Sequence, residues 1–462
     1  MSPDTTGEDR EKGGSIVDYG IDENPSLGES IPLSIQHLLA MVVTTVLVPI
    51  IILGGFGASS SDTTFIIQMA LFVAGIATIV QAYRIGPVGA RLPIVMGTSA
   101  IFILPLVTIG NTYGLAAIFG AVILAAPVEI IIGKYYDKIR QFFPPLVTGV
   151  VIMLIGLTVV DVALDNAAGG VGAETYGNYA NLGLAALVIV SAIGLNQFFK
   201  GIISAASVLF AIVIGYLIAF PLGMVDLSPV QDASWFAVPV PLQYGLEFHP
   251  IPILLVGFAY IITAMETIGD ITGTTEVVGR EPTNEEMSGG LIADGVMSAF
   301  AALFNAFPNT SFSQNVGLIG FTGVASRYIV ALTGVLLVVL GFIPKLSAFV
   351  TAMPSPVLGG AIIVLFGMIL SLGLRVIAQS GLNRRNLIIV GTSIVLGLGV
   401  EWRPEVVEQL PSELQVLFGS GLIMGGGTAF LLNIILPKDD ETSTQTTASN
   451  EGLEKPDEEE KP

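Results

Sequence analysis

The sequence predicts an all-α polytopic membrane protein: about fourteen transmembrane segments form a seven-plus-seven inverted repeat, and segments 3 and 10 are broken by short extended stretches. Three observations carry the prediction. Of the 462 residues, 52% are hydrophobic and only 12% charged, with a mean hydropathy of +0.80, whereas an ordinary soluble domain carries about 25% charged residues. Lys and Arg gather in alternate loops between the apolar runs. Two segments interrupted by polar residues occupy corresponding places in the two halves.

Both ends of the chain are acidic. The formal net charge is −19, but residues 1–30 hold eight acids against Arg10 and Lys12, and residues 438–462 hold nine against Lys438, Lys455 and Lys461. The 407 residues between them carry 20 acids and 13 bases. Polar and almost free of large apolar side chains, the tails 1–30 and 438–462 are expected to be disordered. Nucleic acid is not an expected partner of so acidic a chain. The first 30 residues have no apolar h-region, so no cleaved signal peptide is expected. The absence of cysteine excludes disulfides, thiolate metal sites and cysteine catalysis. With His37 and His249 the only histidines, neither a metal nor a cofactor is expected.

A spanning helix needs about 20 apolar residues. Punctuation by Gly, Pro and charge sets the candidates near 31–54, 63–83, 92–109, 113–133, 143–163, 180–196 and 201–224 in the first half. In the second half they fall near 250–275, 289–306, 311–323, 327–343, 356–374, 386–401 and 414–436. With the N-terminus cytoplasmic, the inner loops receive Arg84, Arg91, Lys134, Lys138, Arg140, Lys200, Arg280, Arg327, Arg375, Arg384 and Arg385. That is 11 of the 13 bases, leaving Lys345 and Arg403 outside. The outer loops 161–179 and 225–249 contain acids and no base. This bias orients membrane proteins, and one miscounted span would break it. Fourteen spans put both termini in the cytoplasm, and seven per half gives the halves opposite topology. Interrupted segments at matching places of inverted halves point to a midplane substrate site in a transporter; here Thr98-Ser99 and Thr310-Ser311 mark them.

Ionisable groups at membrane depth cost about 2.5–3.5 kcal/mol each on insertion scales, so the few present carry the functional signal. They are His37, Glu266, Asp270 and Asp294, with Glu129 near the inner end of segment 4. In segment 8, Thr263, Glu266, Thr267, Asp270 and Thr274 follow helical spacing and share one face. Two carboxylates one turn apart on that stripe are costly for packing alone and are expected to face a hydrated cavity or the partner half. Acceptance of hydrogen bonds from neighbouring helix ends is the structural alternative. His37 reads equally well as a packing histidine, Asp294 reads as a helix contact, and His249 needs no special role. In segment 10, Pro308 and the polar run Asn309-Thr-Ser-Phe312-Ser313-Gln314-Asn315 prevent a full span. A short half-helix there aims free backbone N–H groups at the midplane, a place for an electronegative oxygen. Gln314 presents an acceptor and a donor in one plane, which suits the edge of a heterocycle.

These residues carry a family resemblance. Gln314-Asn315-x-Gly317-x-x-x-x-Thr322-Gly323 matches the signature of the nucleobase–ascorbate transporter family, and Gln36-His37 matches its Gln-His motif. Glu266-x-x-Gly269-Asp270 and Gly97-Thr-Ser-Ala100-Ile-Phe102 resemble that family's eighth and third segments. The resemblance covers residues 31 to 437. It implies a core domain built from 31–134 (spans 1–4) and 250–343 (spans 8–11), and a gate domain built from 135–249 (spans 5–7) and 344–437 (spans 12–14). It further implies a homodimer in the plasma membrane that imports a nucleobase with a proton or a sodium ion.

Carried over by position, Glu266 and Gln314 would grip the base through bidentate hydrogen bonds. Phe102 and Phe312 would flank its ring, and the backbone around Ala100 and Ser313 would add further bonds. Asp270, His37 and Gln36 would couple the cation or support the site. Asn315 and Thr322 would shape the half-helix, and Gly323 stands where some members have a bulky residue. Members resembling uracil permeases tend to have glutamate at the position of Gln314 and histidine at that of Asp270. The stretch Phe304–Asn315 followed by Thr322–Arg327 looks most like the xanthine and urate permeases, so the implied substrate is an oxidised purine, with xanthine and urate not separated. A uracil or other nucleobase permease of the same family and an anion carrier or channel on the same fold are the alternatives. An intramembrane aspartyl protease would need Gly-x-Gly-Asp where this chain has Thr267-Ile-Gly-Asp270, and no enzyme activity is expected.

Overall fold

In hydrocarbon an unpaired backbone N–H or C=O costs several kcal/mol, so an apolar segment closes its hydrogen bonds on itself as a helix. The computed structural model describes residues 17–139, 144–411, 414–415 and 418–437, and it is mostly helical. The first half runs α1 (Leu27–Gly55), α2 (Ser60–Tyr83), the strand β1 (Met96–Thr98), a 3-10 turn (Ala100–Phe102), α3 (Ile103–Tyr113), α4 (Leu115–Ala125), α5 (Pro127–Lys134) and α6 (Tyr136–Ile139). It continues with α7 (Pro145–Thr158), α8 (Val160–Ala167), α9 (Tyr179–Phe198), α10 (Ile202–Ala205), α11 (Ser207–Ala219) and α12 (Ser228–Asp232). The second half runs α13 (Pro250–Val277), α14 (Asn284–Leu303), β2 (Asn309–Ser311), α15 (Ser313–Thr322), α16 (Arg327–Leu340), α17 (Pro344–Thr351), α18 (Ser355–Gln379), α19 (Arg384–Trp402) and α20 (Gly421–Ile435).

Among the described residues, eight helical stretches are long and apolar enough to cross a membrane, or nine if α16 and α17 count as one span. Those two are bent by 83°, because Pro344 at the start of α17 has no N–H to continue the ladder of α16. Helix α14 starts at Asn284, ahead of the apolar run expected from 289. There Thr283 and Glu286 each accept the other's backbone N–H, a capping box.

The helices pack in two groups. In one, α1–α5 contact α13–α16; in the other, α7–α9 and α11 contact α18, and α7 also contacts α19 and α20. Small residues at the seams let backbones touch, as van der Waals contact between membrane helices requires. A Cβ on Gly75 of α2 would lie 2.4 Å from the carbonyl oxygen of Gly334 on α16, and one on Gly334 would lie 2.6 Å from that of Gly75. The second group repeats the device between α7 and α18: a Cβ on Gly373 would fall 2.8 Å from the carbonyl oxygen of Gly149.

The expectation of a disordered tail over 1–30 needs correction for its last part. Residues 1–16 and 438–462 lie outside the described residues, but from Val17 onward the chain is tied down. Asp18 and Tyr19 donate their N–H groups to the carbonyl of Gly323 at 2.7 and 3.2 Å, and Ala325 N–H returns a bond to Tyr19 O at 2.8 Å. Asp22 pairs with Arg327 at 2.6 Å, and Ser26 and Glu29 form a capping box that opens α1 at Leu27. The acids that read as a solvated tail are partly caps and ion-pair partners, a distinction that composition does not carry.

Gly75→Leu is expected to force α2 and α16 apart and to destabilise the protein by about 1–3 kcal/mol or more, lowering its thermal midpoint in detergent. Gly194→Ala on α9, where a Cβ meets nothing within 4 Å, is expected to leave that midpoint unchanged or raise it.

Candidate functional site

The strands β1 and β2 cannot satisfy their backbones alone, and each completes the other. They pair antiparallel in the register Met96↔Ser311, Gly97↔Thr310 and Thr98↔Asn309. Beyond the strands, Ser99 N–H donates to Pro308 O at 2.9 Å and Phe312 N–H to Val95 O at 3.0 Å. The ribbon is buried throughout. Gly97 has no room for a side chain, since a Cβ would lie 2.5 Å from Thr45 Oγ1 and 2.6 Å from the ring of Phe312. The absence of that one carbon seats Phe312 against the ribbon.

Where the ribbon ends, α15 begins at Ser313 with no side-chain cap. Its first turn opens into a cavity of 190 Å³, smaller than the roughly 300–1,000 Å³ usual for drug-sized ligands. One wall is mainly polar: Thr44, Ala100, Glu266, Thr310, Ser313 and Gln314, with Ile101 and Phe312 beside them. The facing wall is wholly apolar: Ile152 and Ile155 from α7, and Met368, Ile369 and Leu372 from α18. The cavity therefore lies between the two helix groups.

A polar network supports the polar wall from behind. Asp270 Oδ2 accepts from Ser311 Oγ at 2.6 Å, and its Oδ1 accepts from Ser313 Oγ at 2.5 Å. One carboxylate thus joins the end of β2 to the start of α15. Thr267 donates to Asp294, which also accepts from Gln81 Nε2 at 3.2 Å. Ser298 Oγ donates to Asn309 O and accepts from Asn309 N, both at 3.0 Å. These bonds fix the ribbon against α13 and α14.

The structure brings Glu266, Gln314, Ala100, Ser313 and Phe312 together at the cavity. Thr310 stands beside Glu266 on the same wall. Phe102 is not on the wall; it is fully buried, edge-on to Tyr260 with ring centroids 5.1 Å apart. Asp270 lies one layer back, as does His37. Asn315 Nδ2 approaches His37 Nδ1 at 3.0 Å and His37 O at 3.3 Å. A carbonyl only accepts, so the amide nitrogen faces it and also donates to Nδ1, leaving the imidazole proton on Nε2. Gln36 is half-buried on α1, outside the wall.

Thr322 and Gly323 lie at the opposite end of α15. Thr322 Oγ1 donates to Leu318 O at 2.8 Å, and Gly323 takes the left-handed cap conformation at φ 68°. The sequence reading missed Thr44, although it stands seven residues after His37 on the same helix face. It also missed the five apolar residues facing the ribbon, which nothing in an apolar sequence singles out. Among the described residues no cluster of three or more His, Asp or Glu could hold a metal.

A permease-family model, Xan_ur_permease, matches residues 28–406. The chain is similar to the xanthine permease XanP of Escherichia coli (strain K12), 38% identical over 437 residues that cover 91% of this chain and 94% of that protein. It is also similar to the uric acid permease PucK of Bacillus subtilis (strain 168), 36% identical over 403 residues, 87% of this chain and 94% of that protein. The murine Slc26a9 anion transporter in its inward-facing state has a similar fold, with a TM-score of 0.64 at 11% identity over 89% of this chain and 69% of that one.

Asp270→Ala leaves the hydroxyls of Ser311 and Ser313 without their acceptor and is expected to destabilise the protein by about 1–3 kcal/mol. Thermal unfolding in detergent checks this, and an unchanged midpoint would show that the two serines find other partners.

Proposed function

The chain belongs to the nucleobase–ascorbate transporter family, and we propose that it imports an oxidised purine, xanthine or urate, by proton symport. It is a multi-pass membrane transporter rather than an enzyme. The observation that carries the substrate reading is the polar wall itself, where Glu266 and Gln314 stand together across from an apolar surface. Xanthine and urate alternate N–H and C=O groups around their rings. A carboxylate accepts from ring N–H groups, while the glutamine amide accepts from one position and donates to its neighbour. The start of α15 adds backbone N–H groups at Ser313, and Phe312 offers a ring face. The names of the XanP and PucK relatives support the same substrate class.

The proposed architecture counts fourteen segments in two inverted sevens, taking β1 with α3 and β2 with α15 as the interrupted third and tenth. The core domain is 31–134 with 250–343, the gate domain is 135–249 with 344–437, and both termini lie in the cytoplasm of a plasma-membrane homodimer. In this reading the core carries the polar wall and the gate carries the apolar one. Movement of the core against the smooth gate surface exposes the site alternately to each side. An apolar facing wall suits such movement, because sliding past it breaks no hydrogen bond.

Glu266 is the coupling group of the proposal. A carboxyl at membrane depth moves at lower cost as the neutral acid, and its protonation changes which purine groups it can bond. Asp270 and the His37–Asn315 pair support the site without touching the purine.

Uptake of labelled xanthine, urate, uracil and adenine into vesicles, with and without an imposed pH gradient, tests the reading. Saturable purine uptake that rises with the gradient is expected, and its absence rejects the proposal. Gln314→Glu is expected to weaken purine affinity by about ten- to a hundredfold, as for one mismatched buried hydrogen-bond pair. Unchanged affinity would show that Gln314 does not read the substrate. Glu266→Gln is expected to abolish gradient-driven accumulation.

A further inference from the structure

The half-helix that opens the polar wall is moored along one face only. In α15 the buried residues are Asn315, Leu318 and Ile319, packed toward α1 and α13, whereas Gly317, Gly320 and Phe321 are exposed. Its first turn is held by Asn315 on His37. Its far end is held from outside the helix bundle, by residues 17–23 ahead of α1.

This segment lies along the link between α15 and α16 as a short parallel strand, with Tyr19 facing Val324. Asp18 and Tyr19 donate their N–H groups to Gly323 O, and Ala325 N–H donates to Tyr19 O. Further along, Arg327 N–H donates to Ile21 O at 3.1 Å, and Ser326 Oγ to Glu23 O at 2.6 Å. Val17 is buried against Ile319 and Ala325, beside Val277 and Val278 where α13 ends. Arg327 pairs with Asp22 and stands 5.5 Å from the ring centre of Tyr83, the last residue of α2. Gly323 leaves the room this needs, since a Cβ there would lie 3.3 Å from Asp18 N. The segment therefore ties the end of α15 to those of α13 and α2 and to the start of α16.

We propose that residues 17–23 are a positioning strap for the purine site, holding the far end of α15 so that Gln314 and the free N–H groups at Ser313 stand in place before substrate arrives. It rests on the purine reading above. A ten-residue helix is about 15 Å long, and freeing one end of so short a rod lets the other pivot. A site that is in place for only a fraction of the time binds with its affinity reduced by that fraction. The strap touches no substrate, so it acts on affinity through preorganisation alone.

Purine binding to the purified full-length protein tests this with Val17→Asp, which drives the strap off its apolar seat. Kd for xanthine or urate should rise about tenfold, as for a site in place about a tenth of the time. Tyr19→Cys with Val324→Cys supplies the control. The chain has no other cysteine, and paired strands lie about 4.8 Å apart, within the roughly 4.4–6.8 Å that a disulfide spans. Added to Val17→Asp, the oxidised pair should restore wild-type Kd, and a reductant should abolish the rescue in the same polypeptide. A lowered thermal midpoint with the same Kd in both redox states makes the strap merely structural and overturns the proposal, as does a cysteine pair that does not cross-link. If the wild type binds purine and Val17→Asp leaves Kd unchanged, the strap proposal falls alone. If the wild type shows no saturable purine binding, the purine reading falls with it. Should Val17→Asp not fold, Asp18→Pro, which removes the N–H donated to Gly323, takes its place with the same outcomes.

Discussion

Two stretches of non-helical backbone buried within a membrane protein are admissible only if each satisfies the other, and this constraint organises the molecule. The pairing of Met96–Thr98 with Asn309–Ser311 brings together segments more than 200 residues apart in sequence. It fixes where α15 starts, and hence where its free N–H groups and Gln314 point. It also requires a glycine at position 97, because any side chain there would collide with Thr45 and Phe312. The polar wall is thus a consequence of closing a backbone ladder away from water.

A buried ribbon needs support from outside its own two strands. Asp270 supplies it by binding Ser311 and Ser313 at once, while Asp294 and Ser298 hold the flanking helices through Thr267, Gln81 and the backbone of Asn309. Acids at membrane depth are costly, and here the cost is offset by bonds that make the site rigid. In contrast, the facing surface from α7 and α18 makes no polar demand. A rigid polar wall against a smooth apolar one is an arrangement in which one body moves while the site keeps its shape.

Much of this was legible in the sequence, for reasons that can be named. Glu266 and Asp270 stood out because charge is rare in hydrocarbon, and Pro308 with the polar run after it marked a break that no helix could absorb. Phe102 shows the limit: its place in the motif suggested a ring against the substrate, yet a residue two positions after Ala100 turns inward to Tyr260. Ile152, Ile155, Met368, Ile369 and Leu372 carried no signal at all, because an apolar residue facing a cavity is written like one facing lipid. The ordered segment from Val17 to Asp22 was equally hidden, since its partners at Gly323 and Arg327 lie about 300 residues away and it binds them mostly through backbone groups.

The proposed function rests on one polar wall that binds an oxidised purine and a proton together. The direct measurement is proton exchange by the purified protein in weakly buffered solution on addition of xanthine or urate. Saturable binding accompanied by net proton uptake is expected, with both lost in Glu266→Gln. Saturable binding with no proton uptake at any pH, or proton uptake that persists in Glu266→Gln, would contradict it.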